Sequence, residues 1–157
     1  MVRSARPVVL TNLVAQITVF SVQLLNPNRL YDGHVAKFLS NSLRLRRAPL
    51  TYETEPPHGV ILCWHAAVLV QMWCAAMSDK PEAHASLALM EFTYGVMALI
   101  ICLFFPTYGS GIALFGALPV LGFATTICLY GGYGVGDLLN LMKGDTSTLQ
   151  KQRRVKP

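Results

Sequence analysis

Between Gly59 and Val135 three long apolar stretches follow one another, parted only by Ser78-Asp79-Lys80-Pro81-Glu82 and by Pro106-Thr107-Tyr108-Gly109. Inside those stretches a single residue carries a formal charge, Glu91. About 20 apolar residues in a helix rising about 1.5 Å per residue cover the roughly 30 Å hydrocarbon thickness of a bilayer. A helix in a water-soluble domain keeps one polar face for solvent, and no such face can be drawn along these runs. The pattern predicts an all-α, polytopic helical membrane protein. The composition agrees: 53% of the 157 residues are hydrophobic and 13% charged, which suits one membrane domain.

Four spans are expected, at about 7–25, 59–77, 85–105 and 112–133. The first follows Arg3 and Arg6, as a signal sequence or anchor would. No small-x-small cleavage pattern follows it and it is long enough to span, so it reads as a retained helix. Its Thr11, Asn12, Gln16, Thr18 and Gln23 form a polar stripe better suited to protein than to lipid. Trp64 and Trp73 lie toward opposite ends of the second span, where indoles favour the headgroup level. Pro106 should end the third span and Pro119 should kink the fourth.

Residues 26–58 are the one sizeable extramembrane segment. An interfacial amphipathic helix is expected at about 31–46, with Val35, Phe38, Leu39 and Leu43 on its apolar stripe. Lys37, Arg44, Arg46 and Arg47 are its candidate headgroup-binding residues, because cations at the edge of such a helix sit at phosphate level. Pro49, Glu53, Glu55, Pro56 and Pro57 predict an extended linker into the second span, and a basic tail occupies 137–157. With four spans, one side of the membrane carries Arg3, Arg6, Lys80, Lys143, Lys151, Arg153, Arg154 and Lys156. The other carries Arg29, Lys37, Arg44, Arg46 and Arg47. The positive-inside rule then puts both termini on the cytoplasmic or matrix-like side.

The net charge of +5 lies almost wholly outside the apolar runs, which points to headgroups and orientation. A nucleic-acid surface would need a basic face on a soluble fold. Cys63, Cys74, Cys102 and Cys128 lie inside the runs without a CxxC pair, so they read as small apolar residues, and no metal site is expected. No catalytic constellation is evident, and no cofactor is expected beyond bound phospholipid.

Three polar residues within the spans are candidates for function: Glu91, Gln71 and His65. An ionisable group inside a span is costly and marks an ion ligand, a proton relay or a buried partner. Counting helical rise from the short second turn puts Glu91 and Gln71 at similar depth, roughly 12 Å in. Glu91 is therefore expected to be a carboxyl hydrogen-bonded to Gln71 or to a partner chain. His65 reads as a satisfied core histidine, since haem between helices generally wants a second axial ligand at matched depth. The run Gly131-Gly132-Tyr133-Gly134-Val135-Gly136-Asp137 superficially looks like a cation-filter loop, but no full-length inner helix follows it. Gly116, Gly122, Gly131, Gly132 and Gly136, with Ala113, Ala117 and Ala124, read instead as a helix-packing surface.

The order of features resembles the fungal family of increased loss of mitochondrial DNA proteins. It rests on Asn26-Pro27 at the end of the first span, the pattern Val35, Leu39, Leu43-Arg44-Leu45, a loop bearing Pro49, Pro56 and Pro57, and the spacing of the later spans. The family's acidic tail is replaced by a basic one. The resemblance implies a non-enzymatic endoplasmic reticulum protein, an accessory subunit of a lipid-transfer assembly.

The leading functional expectation is a non-catalytic subunit of a larger membrane complex, its partners being other membrane subunits and phospholipids. The host would be an energy-converting complex of the mitochondrial inner membrane or a lipid-handling complex of the endoplasmic reticulum. A small transporter or channel working through Glu91 is the alternative, and a lipid-modifying enzyme the third reading.

Overall fold

The computed structural model describes residues 4–45, 55–105 and 109–154, with the backbone course alone for 55–57 and 151–154. Eight helices account for most of these residues: α1 (Arg6–Leu25), α2 (Pro27–Tyr31), α3 (His34–Ser42), α4 (Glu55–Met77), α5 (Pro81–Phe104), α6 (Gly111–Gly131), α7 (Val135–Met142) and α8 (Ser147–Arg154). Helices α1, α5, α6 and the part of α4 from His58 to Met77 are long and apolar enough to cross a bilayer. The protein is a polytopic helical integral membrane protein.

The boundaries correct the sequence reading in four places. Helix α4 begins at Glu55, so Pro56 and Pro57 lie in its first turn rather than in a linker. Proline is tolerated there because the first helical N–H groups have no partner in the helix anyway. For the same reason α5 begins at Pro81, earlier than expected. The interfacial segment is two helices broken at Asp32-Gly33, not one. Gly33 packs on the Arg29 carbonyl with no room for a Cβ, and Lys37 bridges the break to Asp32 at 2.9 Å. The segment after the fourth span is not a bare tail either. Gly134 and Asp137 close a capping interaction at 2.9 Å that starts α7, and α8 follows.

The most extensive seam joins α5 to α6, and the next joins α1 to α4. A Cβ on Gly95 would lie 2.5 Å from Leu121 Cγ and 3.3 Å from the Ala117 carbonyl oxygen, so this glycine allows α5 and α6 their close approach. On α6 the buried face is Gly111, Leu114, Ala117, Val120, Ala124, Ile127 and Gly131, spaced three and four apart as one helical stripe. Pro119 falls outside that face, and α6 runs continuously through it. Gly132 at φ 69° ends α6 in a left-handed cap.

The starts of α1 and α5 and the ends of α4 and α6 share one end of the bundle with α8, the terminal side. There Arg6 reaches Asp79 at 3.5 Å. A continuous apolar cluster fills this end: Val9 and Leu13 of α1, Met72 and Ala76 of α4, Leu87 and Ala88 of α5, Ile127 of α6, and Leu149 of α8. Helices α2 and α3 occupy the opposite, loop side, where Ala36 and Ser40 pack on Gly111 at the start of α6. Val35 and Phe38 face outward, 51% and 68% exposed, as the apolar stripe of an interfacial helix would.

Candidate functional site

A membrane span that folds against its neighbours turns its polar groups inward, and α1 does so with its amides. Thr11 and Thr18 of the expected stripe are instead exposed and bond back to the Pro7 and Val14 carbonyls of their own helix. Asn12 and Gln23 are buried and Gln16 is half-buried, while Val14, Leu24 and Leu25 face out. Glu91 of α5 is 3% exposed. Its hydrogen-bond donor is the Asn12 side-chain amide, which meets Glu91 Oε1. Gln71 was the expected partner, and it points away: it is exposed on the outer surface of α4. Equal depth gave no information about rotation around the helix axis. Helix α4 packs chiefly on α1 and less on α5, and the face it buries there carries Met72, Ala75 and Ala76 rather than Gln71.

Two buried oxygens at this site have no hydrogen-bond partner among the described residues, Asn12 Oδ1 and Glu91 Oε2. Orphaned acceptors inside a fold are uncommon and call for an explanation.

One helical turn along α1, His65 of α4 is held between two amides. Its Nδ1 lies 2.6 Å from Gln23 Oε1 and its Nε2 3.2 Å from Gln16 Oε1. The Phe20 ring stands edge-on to the imidazole, with centroids 5.3 Å apart. A neutral imidazole has one N–H, whereas an imidazolium donates from both nitrogens. Rotation of one glutamine amide turns its acceptor into a donor, so the same clamp satisfies either form. His65 is thus partnered, as expected of a core histidine, by two polar side chains of one stripe.

The polar run continues to the loop side. Gln23 also bonds the Tyr31 hydroxyl, which lies 3.2 Å from His58 Nδ1. The two rings meet edge to face at 5.3 Å. Burial, with Tyr94 adding to it, holds the Tyr31 hydroxyl above its ordinary 10.0, against the opposing bond from Gln23. An amide, an imidazole, an amide and a phenol therefore follow one another from mid-membrane to the base of the extramembrane segment. Sequence reasoning singled out Glu91, His65 and the α1 stripe. It missed Tyr31 and His58, because neither lies deep in a span.

The glycines expected to form a packing face mostly do not. Gly122 and Gly136 have open space where a Cβ would stand, and Gly116 has only the Tyr94 hydroxyl at 3.7 Å. Gly131 packs on the Tyr133 ring, and Gly132 serves the left-handed turn. The close approaches belong to Gly95, Gly109 and Gly111. Of the expected headgroup-binding cations, Lys37 is committed to Asp32, Arg44 is exposed, and Arg46 and Arg47 lie outside the described residues. Arg29 and His34 instead line a loop-side groove of about 620 Å³, whose apolar wall is Ile112 and Phe115 at the start of α6.

No protein-family model matches the chain, and neither a curated protein nor a solved structure is detectably similar to it.

Proposed function

We propose that this protein is a non-catalytic subunit of a larger membrane assembly. The observation that carries the reading is Gln71. Its side chain is exposed on α4, roughly 9 Å inside the terminal-side end of the helix at 1.5 Å per residue. An amide facing hydrocarbon at that depth is out of reach of water and has strong reason to meet a partner's hydrogen-bonding group. Gly59, Cys63, Ala67 and Cys74 are exposed with it at three- and four-residue spacing, the small surface that lets another helix approach closely. Only 17% of the apolar window of α4 is buried, the smallest share of the four spans. The open Gly122 on α6 offers a second lateral surface of the same kind.

The host assembly in this reading lies in the endoplasmic reticulum, where it handles lipids, or in the mitochondrial inner membrane. The resemblance in the Asn26-Pro27 and Leu43-Arg44-Leu45 segments favours the former. The loop-side groove supports phospholipid contact, since Arg29 and His34 stand beside an apolar wall at the start of α6.

The test is a photo-crosslinking amino acid placed at position 71 of the full chain in its native membrane. A discrete protein adduct is expected there. Adducts to lipid alone, with the same outcome at position 122, would remove the basis for a subunit role.

A further inference from the structure

We infer that the Asn12–Glu91 pair is a proton-binding site that communicates with the loop side of the membrane only. Three observations carry this. First, Glu91 and Asn12 are 3% and 0% exposed, yet Glu91 Oε2 and Asn12 Oδ1 both lack a hydrogen-bond partner among the described residues. A carboxyl in that position has a free oxygen that can accept a proton and a neighbouring acceptor to which the acid can donate. Second, polar side chains line a route from this level to one surface: Gln16, His65, Gln23, Tyr31 and His58. Gln16 stands four residues from Asn12 on α1, hence on the same face one turn on. The amides orient the path, and His65 is the group along it able to take up a proton and hand it on. Its clamp tolerates both states. Third, the opposite direction is filled mainly by apolar side chains, with His84, Tyr133, Glu82 and Thr148 as the polar groups set among them and no hydrogen bond from Glu91 toward them among the described residues. The apolar cluster built on Val9, Leu13, Met72, Leu87 and Leu149 fills the terminal side, and His84, within that layer, has Nε2 bonded to the Ala75 carbonyl at 3.0 Å.

The groups around the carboxyl are few. Helix α1 contributes Asn12 and no ionisable side chain inside the span, and α4 contributes His65. Helix α5 has Tyr94 one turn toward the loop side, and His84 and then Glu82 toward the terminal side; the buried face of α6 between Gly111 and Gly131 has no ionisable group, and Tyr133 follows it in the terminal-side cluster. No lysine or arginine stands at this depth to fix the carboxylate as an ion pair. Access from one side makes this a proton well and not a conduit. A continuous channel through the same residues would need a second polar route, and among the described residues no hydrogen-bonded series runs from Glu91 through the terminal-side layer.

The experiment uses the full chain in lipid vesicles and a hydrophobic carbodiimide, which couples to protonated carboxyls, with the adduct at Glu91 read by mass spectrometry. Vesicles are sorted by whether a tag on the C-terminal tail faces out. Rapid acidification of the external medium should raise Glu91 labelling several-fold where the loop side faces out, and leave it unchanged where the tag faces out. Glu91→Gln should abolish the adduct, and His65→Phe should slow the response several-fold. The wild-type sidedness decides the matter even if a variant misfolds. Labelling that follows the terminal-side pH, that follows both sides equally, or that ignores pH would overturn the inference; the first outcome would make His84 the point of access.

Discussion

Among the described residues Asn12 is the only donor to Glu91, and replacing it isolates what the pair contributes. In Asn12→Leu the carboxyl keeps its burial and loses its sole hydrogen bond. Removing one partner of a buried polar pair costs about 1–3 kcal/mol. Measured interhelical hydrogen bonds in bilayers sit lower, near about 0.6 kcal/mol on average and about 1.7 at most, because the unfolded reference state also finds partners. The pair here is buried at 0% and 3% with no alternative donor in place, which argues for the upper part of that range. A loss of about 1–2 kcal/mol is expected, roughly a five- to thirty-fold fall in the folding equilibrium constant. Glu91→Gln should leave stability within about 0.5 kcal/mol, because an amide still accepts from Asn12 and brings a donor for its free oxygen. The double variant Asn12→Leu/Glu91→Leu, with both polar groups gone, should recover most of what Asn12→Leu loses. The assay is reversible unfolding from bilayer-mimetic micelles by a denaturing detergent, followed by far-ultraviolet circular dichroism as a double-mutant cycle. If Asn12→Leu matches the wild type, or if the double variant is as unstable as the two single losses added together, the pair does not hold α1 to α5.

The two classes of glycine should separate cleanly. Gly95→Leu drives a side chain into Leu121 and the Ala117 carbonyl and should destabilise the isolated chain by about 1–3 kcal/mol or more. Gly122→Leu meets open space and should leave the isolated chain folded while releasing it from a partner complex in co-purification; loss of the isolated fold would refute the assignment. For topology, single cysteines at Ser42 and Ser147 in a background lacking the native cysteines should react with an impermeant thiol reagent from opposite faces. Reaction of both from one face would show that one of the four long helices does not cross.

Much of the architecture was legible because membrane solvation leaves so few options. Length and apolarity alone mark the spans, and α1, α4, α5 and α6 fall within a few residues of where charge and proline imply. The polar stripe of α1 was equally readable, since Asn12, Gln16 and Gln23 share a helical face. Rotation about each axis was not readable. Depth placed Gln71 beside Glu91, but the order of helices around the bundle turns Gln71 outward and brings in Asn12 instead. The glycine face failed for a related reason. Small residues lie on more than one side of α6, and the side used carries Gly111, Ala117, Ala124 and Gly131 with Leu114, Val120 and Ile127 between them, while Gly116 and Gly122 fall off it. Helix α7 escaped notice because Val135–Met142 is too short for its apolar residues to show a period, and α8 because a basic segment with a lone Leu149 does not announce a docked helix.

The uneven filling of the bundle also has an electrical meaning. A transmembrane voltage drops across whatever is least polarisable, and the apolar cluster around Val9, Leu13, Met72 and Leu87 on the terminal side, despite the His84 and Tyr133 set in it, would take the larger share. The loop-side half, threaded by His65, Gln23, Tyr31 and His58, can reorient its dipoles and holds the smaller part of the field. Charge at the level of Glu91 thus sits close to the loop-side potential, with most of the field concentrated into a few helical turns behind it. Carrying an elementary charge across that thin layer would involve most of the roughly 2.3 kcal/mol that each 100 mV supplies.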